Sequence, residues 1–202
     1  MIIGISGKAH AGKDLLASIA AKDGWKRLAF ADELKKKLRE DFDLTTEHTD
    51  GFLKEKPTHY KSGRIVSFDE DGSTINSTLY WTPREMMIEY GHFYRQFDSL
   101  YWVKVILGKI AGTNADENYM ITDVRFPNEA DAIKNSGGFL IRLERHSSRD
   151  NAVSEETKKN LSETALDDYS GFDFIQPAEV NKTPEDLITL WNIVKCALKS
   201  KV

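Results

Sequence analysis

The chain has 202 residues, 40% of them hydrophobic and 30% charged, with a formal net charge of −4 at pH 7. That balance suits a folded protein with one sizeable core, or one core plus an inserted region, and argues against a disordered chain or a general nucleic-acid binder. A lone cysteine, Cys196, excludes an internal disulfide and a cysteine zinc cluster; no apolar run reaches 18 residues, and no signal-peptide pattern precedes the first apolar run, so the expectation is a cytoplasmic protein off the membrane.

Ile2, Ile3 and Ile5 read as a short buried strand. Gly7-x-x-x-x-Gly12-Lys13-Asp14 follows, and then an apolar pattern of helical period with Leu15, Leu16, Ile19 and Ala20. Strand, glycine loop, lysine and helix are the context of a phosphate-binding loop. Glycines let backbone N–H groups close around a phosphate, and the helix turns its positive end to the same anion. Lys13 adds a mobile full charge that can follow the β- and γ-phosphates. The plainer alternative is a glycine turn that caps a helix, with Asp14 a first-turn acid. Where a hydroxyl would commonly hold Mg²⁺, Asp14 offers a carboxylate, which can also serve a hard cation.

The first helix is expected over 13–22, closed near Gly24, with a second strand from Trp25 to Phe30. Ala31-Asp32-Glu33-Leu34-Lys35 opens a second helix. Asp32 suits either a cap on free N–H groups or a ligand group, because loops at the carboxyl ends of parallel strands line the crevice of α/β folds. Residues 41–59 are polar with a weak pattern. Arg64 to Phe68 and Ser73 to Trp81 read as a hairpin about Asp69-Glu70-Asp71-Gly72, an insertion that could serve as a lid or a dimer contact.

Thr82-Pro83-Arg84-Glu85 is a helix start with a capping box, and Gly91 is expected to interrupt that helix. A further helix runs from Phe97 to Leu107. Arg84, Arg95 and Lys104 punctuate both, and each alone reads as a solvated cation. Asn118 to Thr122 is a third strand, followed by Asp123-Val124-Arg125 and a helix opened by Pro127. An acid at the end of an apolar strand suits a magnesium-organising carboxylate. Arg125 can match phosphoryl oxygens in a bidentate way. The plainer reading of the two is a surface ion pair. Phe139 to Leu143 is a fourth strand with Arg142 and Arg145 at its end, and 146–160 is a polar loop. Ser162-Glu163 begins a short helix. Phe172 to Ile175 is a fifth strand, and Thr183-Pro184 caps a last helix with Leu187, Leu190, Val194 and Leu198 as its stripe. Strands alternating with helices imply a parallel sheet covered on both faces, with the glycine loop at the centre of its carboxyl edge.

These stretches resemble, in order and over nearly the whole chain, the deoxynucleoside monophosphate kinases of tailed bacteriophages, a branch of the P-loop nucleotide kinases. The residues that carry the resemblance are Gly7-x4-Gly12-Lys13-Asp14, Ala31-Asp32-Glu33-Leu34-Lys35 and Pro83-Arg84-Glu85 with Tyr90-Gly91. Phe97-Asp98-x-x-Tyr101-Trp102-Val103-Lys104, Thr122-Asp123-Val124-Arg125 and Ser162-Glu163 continue it. Two places depart from the pattern: Leu15 replaces a threonine, and Gln176-Pro177-Ala178-Glu179 stands where an Asn-Asp-Gly stretch usually lies near the ATP base.

The resemblance implies an α/β fold of three layers, with a five-stranded parallel sheet, helices on both faces and an inserted β-hairpin. It implies one P-loop kinase domain over 1–202, with an inserted acceptor and hairpin region about 41–111 and a lid-like loop about 146–160. The implied reaction is phosphate transfer from ATP, with Mg²⁺, to a deoxynucleoside 5′-monophosphate for phage DNA precursors, in the cytoplasm of an infected cell. Gly7, Ala9, His10, Ala11, Gly12, Lys13, Asp14 and Leu15 would hold ATP, with Arg142 and Arg145 reaching the donor. Lys13, Arg125 and Asp123 would act in transfer, and Asp123 or Asp14 would organise Mg²⁺. Asp32, Lys35, Arg84, Arg95, Arg125 and Trp102 would meet the acceptor, although core packing competes for Trp102. A homodimer is expected, and direct DNA binding is not. The competing readings are a kinase for another small acceptor such as dephospho-coenzyme A, and an ATP-binding switch or adaptor without an acceptor.

Overall fold

The computed structural model of the protein describes residues 1–69, 74–114, 116–144, 164–181 and 183–199, with the backbone alone for 64–69 and 74–78. The hairpin turn at 70–73, Arg145, the loop about 146–160 and the Ser162-Glu163 helix start lie outside those residues. The elements in order are β1 (Ile2–Ser6), α1 (Lys13–Ala21), β2 (Trp25–Leu28), α2 (Phe30–Asp41), α3 (Thr46–Thr49), β3 (Lys61–Asp69) and β4 (Thr74–Tyr80). Then come α4 (Pro83–Phe97), α5 (Tyr101–Ala111), β5 (Asn118–Ile121), α6 (Pro127–Asn135), β6 (Phe139–Leu143), β7 (Phe174–Gln176), a 3₁₀ turn (Ala178–Val180) and α7 (Pro184–Lys199).

The chain forms two compact units, Met1–Phe30 with Trp102–Val202, and Ala31–Tyr101. The first holds a five-stranded sheet in the order β2-β5-β1-β6-β7, every neighbouring pair parallel. Ile3 and Ile5 of β1 join a buried cluster with Leu16, Ala17 and Ala20 of α1 and with Leu187, Leu190, Trp191, Val194 and Leu198 of α7. Leu187, Leu190, Val194 and Leu198 are the stripe expected from the sequence, Trp191 joins them, and their burial is what holds the helix on the sheet. Trp25 and Trp191 meet edge to face at 5.4 Å, and Asp23 accepts hydrogen bonds from Trp191 Nε1 (2.6 Å) and Lys195 Nζ (2.7 Å). Helix α6 packs on β1 and β6 with Ala130 and Ile133 buried, giving three layers. The third strand ends at Ile121 and the fifth starts at Phe174, each within two residues of expectation.

The second unit contains the antiparallel pair β3–β4 and a small core of Leu38, Leu44 and Met86, covered by Phe42, Tyr60, Trp81, Met87 and Tyr90. Because Leu38 of α2 belongs to this core, the unit takes in α2 and starts at residue 31, ahead of the insertion expected about 41–111. Helix α4 runs unbroken through Gly91, contrary to the interruption expected there. The glycine serves close packing, since a Cβ at Gly91 would lie 2.8 Å from Leu34 Cδ1. Among the described residues no helix is long and apolar enough to cross a membrane.

Candidate nucleotide-binding site

The loop between β1 and α1 stands at the carboxyl edge of the central strand of the five. Its shape depends on its glycines. Gly12, with φ of 95°, is the N-cap of α1 and has no side chain to bond the first turn. A Cβ there would come within 2.9 Å of Leu187 Cδ1, and one on Gly7 would lie 2.5 Å from the Leu143 carbonyl. His10 also has a positive φ, 61°, which a non-glycine residue adopts at a cost. Lys13 arches over the loop, its ammonium donating to the carbonyls of Gly7 (2.6 Å) and Lys8 (2.7 Å). A helix N-terminus, a turned backbone and an ammonium are together the elements that suit a polyphosphate.

Asn181 was not foreseen and is central to the loop. It is 2% exposed, and its amide nitrogen donates to the carbonyls of Ala11 (3.0 Å) and Glu144 (2.7 Å). Two carbonyl partners require the nitrogen on that side of the amide. The Ala11 carbonyl is thereby drawn toward Asn181, and in a trans peptide the Gly12 N–H points the opposite way. The side chain thus sets the direction of a loop amide.

Asp123 lies two residues beyond β5, where Thr122 N bonds the Leu28 carbonyl and Val124 N the Ile5 carbonyl. It therefore stands at the sheet edge between the ends of β1 and β2. Its Oδ1 accepts from Phe30 N at 2.8 Å, which caps α2. That leaves Asp32 inside the helix, at its third position. Arg125 is exposed, and its backbone is fixed by Glu129, which is 3% exposed and accepts from Arg125 N (2.8 Å) and Phe126 N (3.1 Å). Asp14 accepts from Arg27 Nε of β2 at 3.1 Å, and Leu15 is exposed. Among the described residues no group of three or more His, Cys, Asp or Glu could hold a metal by itself. A magnesium ion would therefore need phosphate oxygens and water beside one carboxylate, which is its usual company.

Two expected ligands are committed elsewhere. The Arg142 side chain is only 12% exposed and donates to the Leu166 carbonyl (3.0 Å) and Asp167 (2.5 Å), with its guanidinium 5.6 Å from the centre of the Phe172 ring. Asp167 also pairs with Lys8 of the loop at 3.7 Å. Trp102 is 2% exposed, so its ring is core and has no face to offer a base.

In the second unit, Lys35 pairs with Asp50 (2.6 Å), Arg39 donates to Thr49 (2.7 Å) and Asp50 (3.4 Å), and Arg84 Nε pairs with Glu55. Burial raises the Asp50 carboxyl, but hydrogen bonds from Lys35 and Thr49 outweigh it and hold the group below its ordinary value. Arg95 is half-buried in the last turn of α4 and folds over Gly91. A cavity of about 440 Å³ opens beside the small core, lined by Phe42, Tyr60, Trp81, Tyr90 and Phe93, with His92 and Gln96 among its polar groups.

No family model matches the chain. A protein of Acanthamoeba polyphaga mimivirus named "Putative deoxynucleotide monophosphate kinase" is 28% identical to it, over 97% of this chain and 95% of that one. Among solved structures, TT1252 from Thermus thermophilus matches 98% of this chain and 97% of its own at 15% identity, with a TM-score of 0.52. Dephospho-CoA kinase from Campylobacter jejuni matches 96% of each chain at 13% identity, with a TM-score of 0.49. Shikimate kinase from Aquifex aeolicus matches 100% of this chain and 98% of its own, also at 13% and 0.49. The chain has a three-layer α/β fold about a five-stranded parallel sheet, a fold it shares with TT1252, and its sequence resembles, almost from end to end, the mimivirus protein.

Proposed function

We propose that the protein is an ATP-dependent kinase that converts deoxynucleoside 5′-monophosphates to diphosphates, in the supply of DNA precursors. The observation that carries this reading is the loop Gly7–Lys13 at the central strand's carboxyl edge, with the Lys13 ammonium drawn over it. The choice of acceptor is supported by the similarity, over most of both chains, to the mimivirus protein.

Phosphoryl transfer needs positioning and neutralised charge more than covalent help from the protein. The loop amides and Lys13 hold the ATP β- and γ-phosphates. Arg125, on a backbone pinned by Glu129, stabilises the charge that develops on the transferred group. Asp123, or Asp14 if it leaves Arg27, would hold Mg²⁺, which would supply further positive charge against the phosphate oxygens. Lys35, Arg84 and Arg95 recognise the acceptor phosphate, and Asp32 orients the acceptor. A general base is not required, because a phosphate monoester is already ionised near pH 7.

The test is a panel of deoxynucleoside and ribonucleoside monophosphates together with dephospho-coenzyme A, each with ATP and Mg²⁺. ADP release is followed by a coupled assay and products are identified by mass. Diphosphates from the deoxynucleotides are expected. Phosphorylation of dephospho-coenzyme A alone, or ATP binding with no transfer to any acceptor, refutes the assignment.

A further inference from the structure

Lys54 sits in the polar stretch 41–59, where the sequence pattern is weakest, yet its place is tightly defined. Its N–H donates to the Gly51 carbonyl at 3.3 Å, and its carbonyl accepts from Arg84 N, in the first turn of α4, at 3.1 Å. The segment after α3 is thus tied to the start of α4, and the side chains of Lys54 and Arg84 leave from neighbouring backbone. The surrounding charges are Arg84 and Lys35, with Asp50 and Glu55. Both of those cations already have a carboxylate, Glu55 for Arg84 and Asp50 for Lys35, and Arg39 shares Asp50. Lys54 is half-buried, and its ammonium makes no hydrogen bond or ion pair with any described residue. Burial first, then Arg84 and Lys35, push the ammonium below the usual lysine range, with Asp50 and Glu55 opposing.

A partly desolvated ammonium next to two further cations is costly unless an anion joins it. The anion that best suits the set is a phosphate monoester. It carries close to two charges at pH 7 and three acceptor oxygens, enough for an ammonium and a forked guanidinium together. Its charge can also replace Glu55 on Arg84 and Asp50 on Lys35. We propose that Lys54 is a phosphate-binding residue that completes, with Lys35 and Arg84, a cradle for the 5′-phosphate of the acceptor. The identity of the acceptor rests on the function proposed above; the cradle itself does not.

The experiment uses the full chain and Lys54→Ala, with Lys54→Arg as the conservative variant. Thermal melting shows first whether each folds. Initial rates are measured with the acceptor varied at saturating ATP and the reverse. Losing a charged phosphate contact should raise the acceptor KM about tenfold or more, leave the KM for ATP within about twofold, and be largely rescued by Lys54→Arg. A deoxynucleoside lacking the 5′-phosphate, used as a competitive inhibitor, should bind wild type and Lys54→Ala alike. An unchanged acceptor KM, or equal rises in both KM values, overturns the proposal. If the wild type transfers phosphate to no monophosphate, the kinase reading fails, and titrating inorganic phosphate by calorimetry still decides the cradle: weaker binding by Lys54→Ala supports it, equal binding overturns it. Should Lys54→Ala not fold, Lys54→Gln takes its place in every arm.

Discussion

Replacing Asn181 by alanine should damage the phosphate loop from outside it. The substitution removes two hydrogen bonds, at 3.0 and 2.7 Å, and leaves the carbonyls of Ala11 and Glu144 without that donor at a site 2% exposed. Each such bond contributes about 1 kcal/mol, and a buried acceptor left unpaired costs about 1–3 kcal/mol, so a loss of roughly 2–4 kcal/mol is expected. In a chain of this size that lowers Tm by roughly 5–15 °C. Asn181→Asp should be at least as harmful near neutral pH, because it faces a carboxylate toward two carbonyl oxygens. The second expectation concerns direction more than stability. With the Ala11 carbonyl released, the Gly12 N–H is no longer aimed, and ATP affinity should fall by about tenfold, the worth of one well-directed hydrogen bond to a charged group. Melting curves and calorimetric ATP titrations at a temperature where the variant is folded separate the two effects. A variant that melts within about 2 °C of wild type and binds ATP equally well would show that the 178–181 turn does not hold the loop.

Lys13→Ala and Arg125→Ala should each lower kcat at least about a hundredfold, as loss of a charge-stabilising group does; near-normal turnover in a coupled ADP assay removes that residue from the mechanism. Asp123→Asn keeps an oxygen for Phe30 N but loses the charge, so it should melt close to wild type while activity falls and demands more Mg²⁺. Asp123→Ala should also lose about 1 kcal/mol through the missing helix cap, and equal activity in Asp123→Asn and wild type would leave Asp123 only the capping role. Asp23 is held below the ordinary carboxylate value by hydrogen bonds from Lys195 and then Trp191. Because the folded-state value is the lower one, this contribution is complete above the unfolded carboxylate pKa of about 4 and is lost as pH falls through the folded value. Asp23→Asn should therefore melt lower than wild type at pH 7, with the gap closing below about pH 4; a gap independent of pH argues against the linkage.

The features that proved legible in the sequence are those governed by neighbours along the chain. Gly7, Gly12 and Lys13 sit between an isoleucine-rich strand and an apolar helical stripe, so both element types and the loop follow from local pattern. The α7 stripe of Leu187, Leu190, Val194 and Leu198 is likewise a matter of period, and all four residues are buried. Alternation and right-handed crossovers then lead to a parallel sheet with that loop at its central strand. Gly91 misleads because residue type alone cannot distinguish a helix break from a site of close packing. Here the partner is Leu34, 57 positions earlier in the chain.

Charges are less legible still, because their availability depends on residues that only the fold brings near. Arg142 and Lys54 illustrate the point from opposite sides. Arg142, at a strand end in a chain with a phosphate loop, has the right sequence context for a ligand, yet its guanidinium is taken by Leu166 and Asp167. Lys54, in a stretch without recognisable pattern, has an ammonium with no such partner among the described residues. Asn181 joins them for a third reason: its two acceptors lie 170 and 37 positions earlier in the chain. An amide donor has no periodicity to betray it, and its role exists only once β6, the loop and the 178–181 turn are assembled. A glycine loop and its lysine are thus legible along the chain, while the residue that orients one of the loop amides, and the cation that keeps no carboxylate partner among the described residues, are determined by tertiary neighbours.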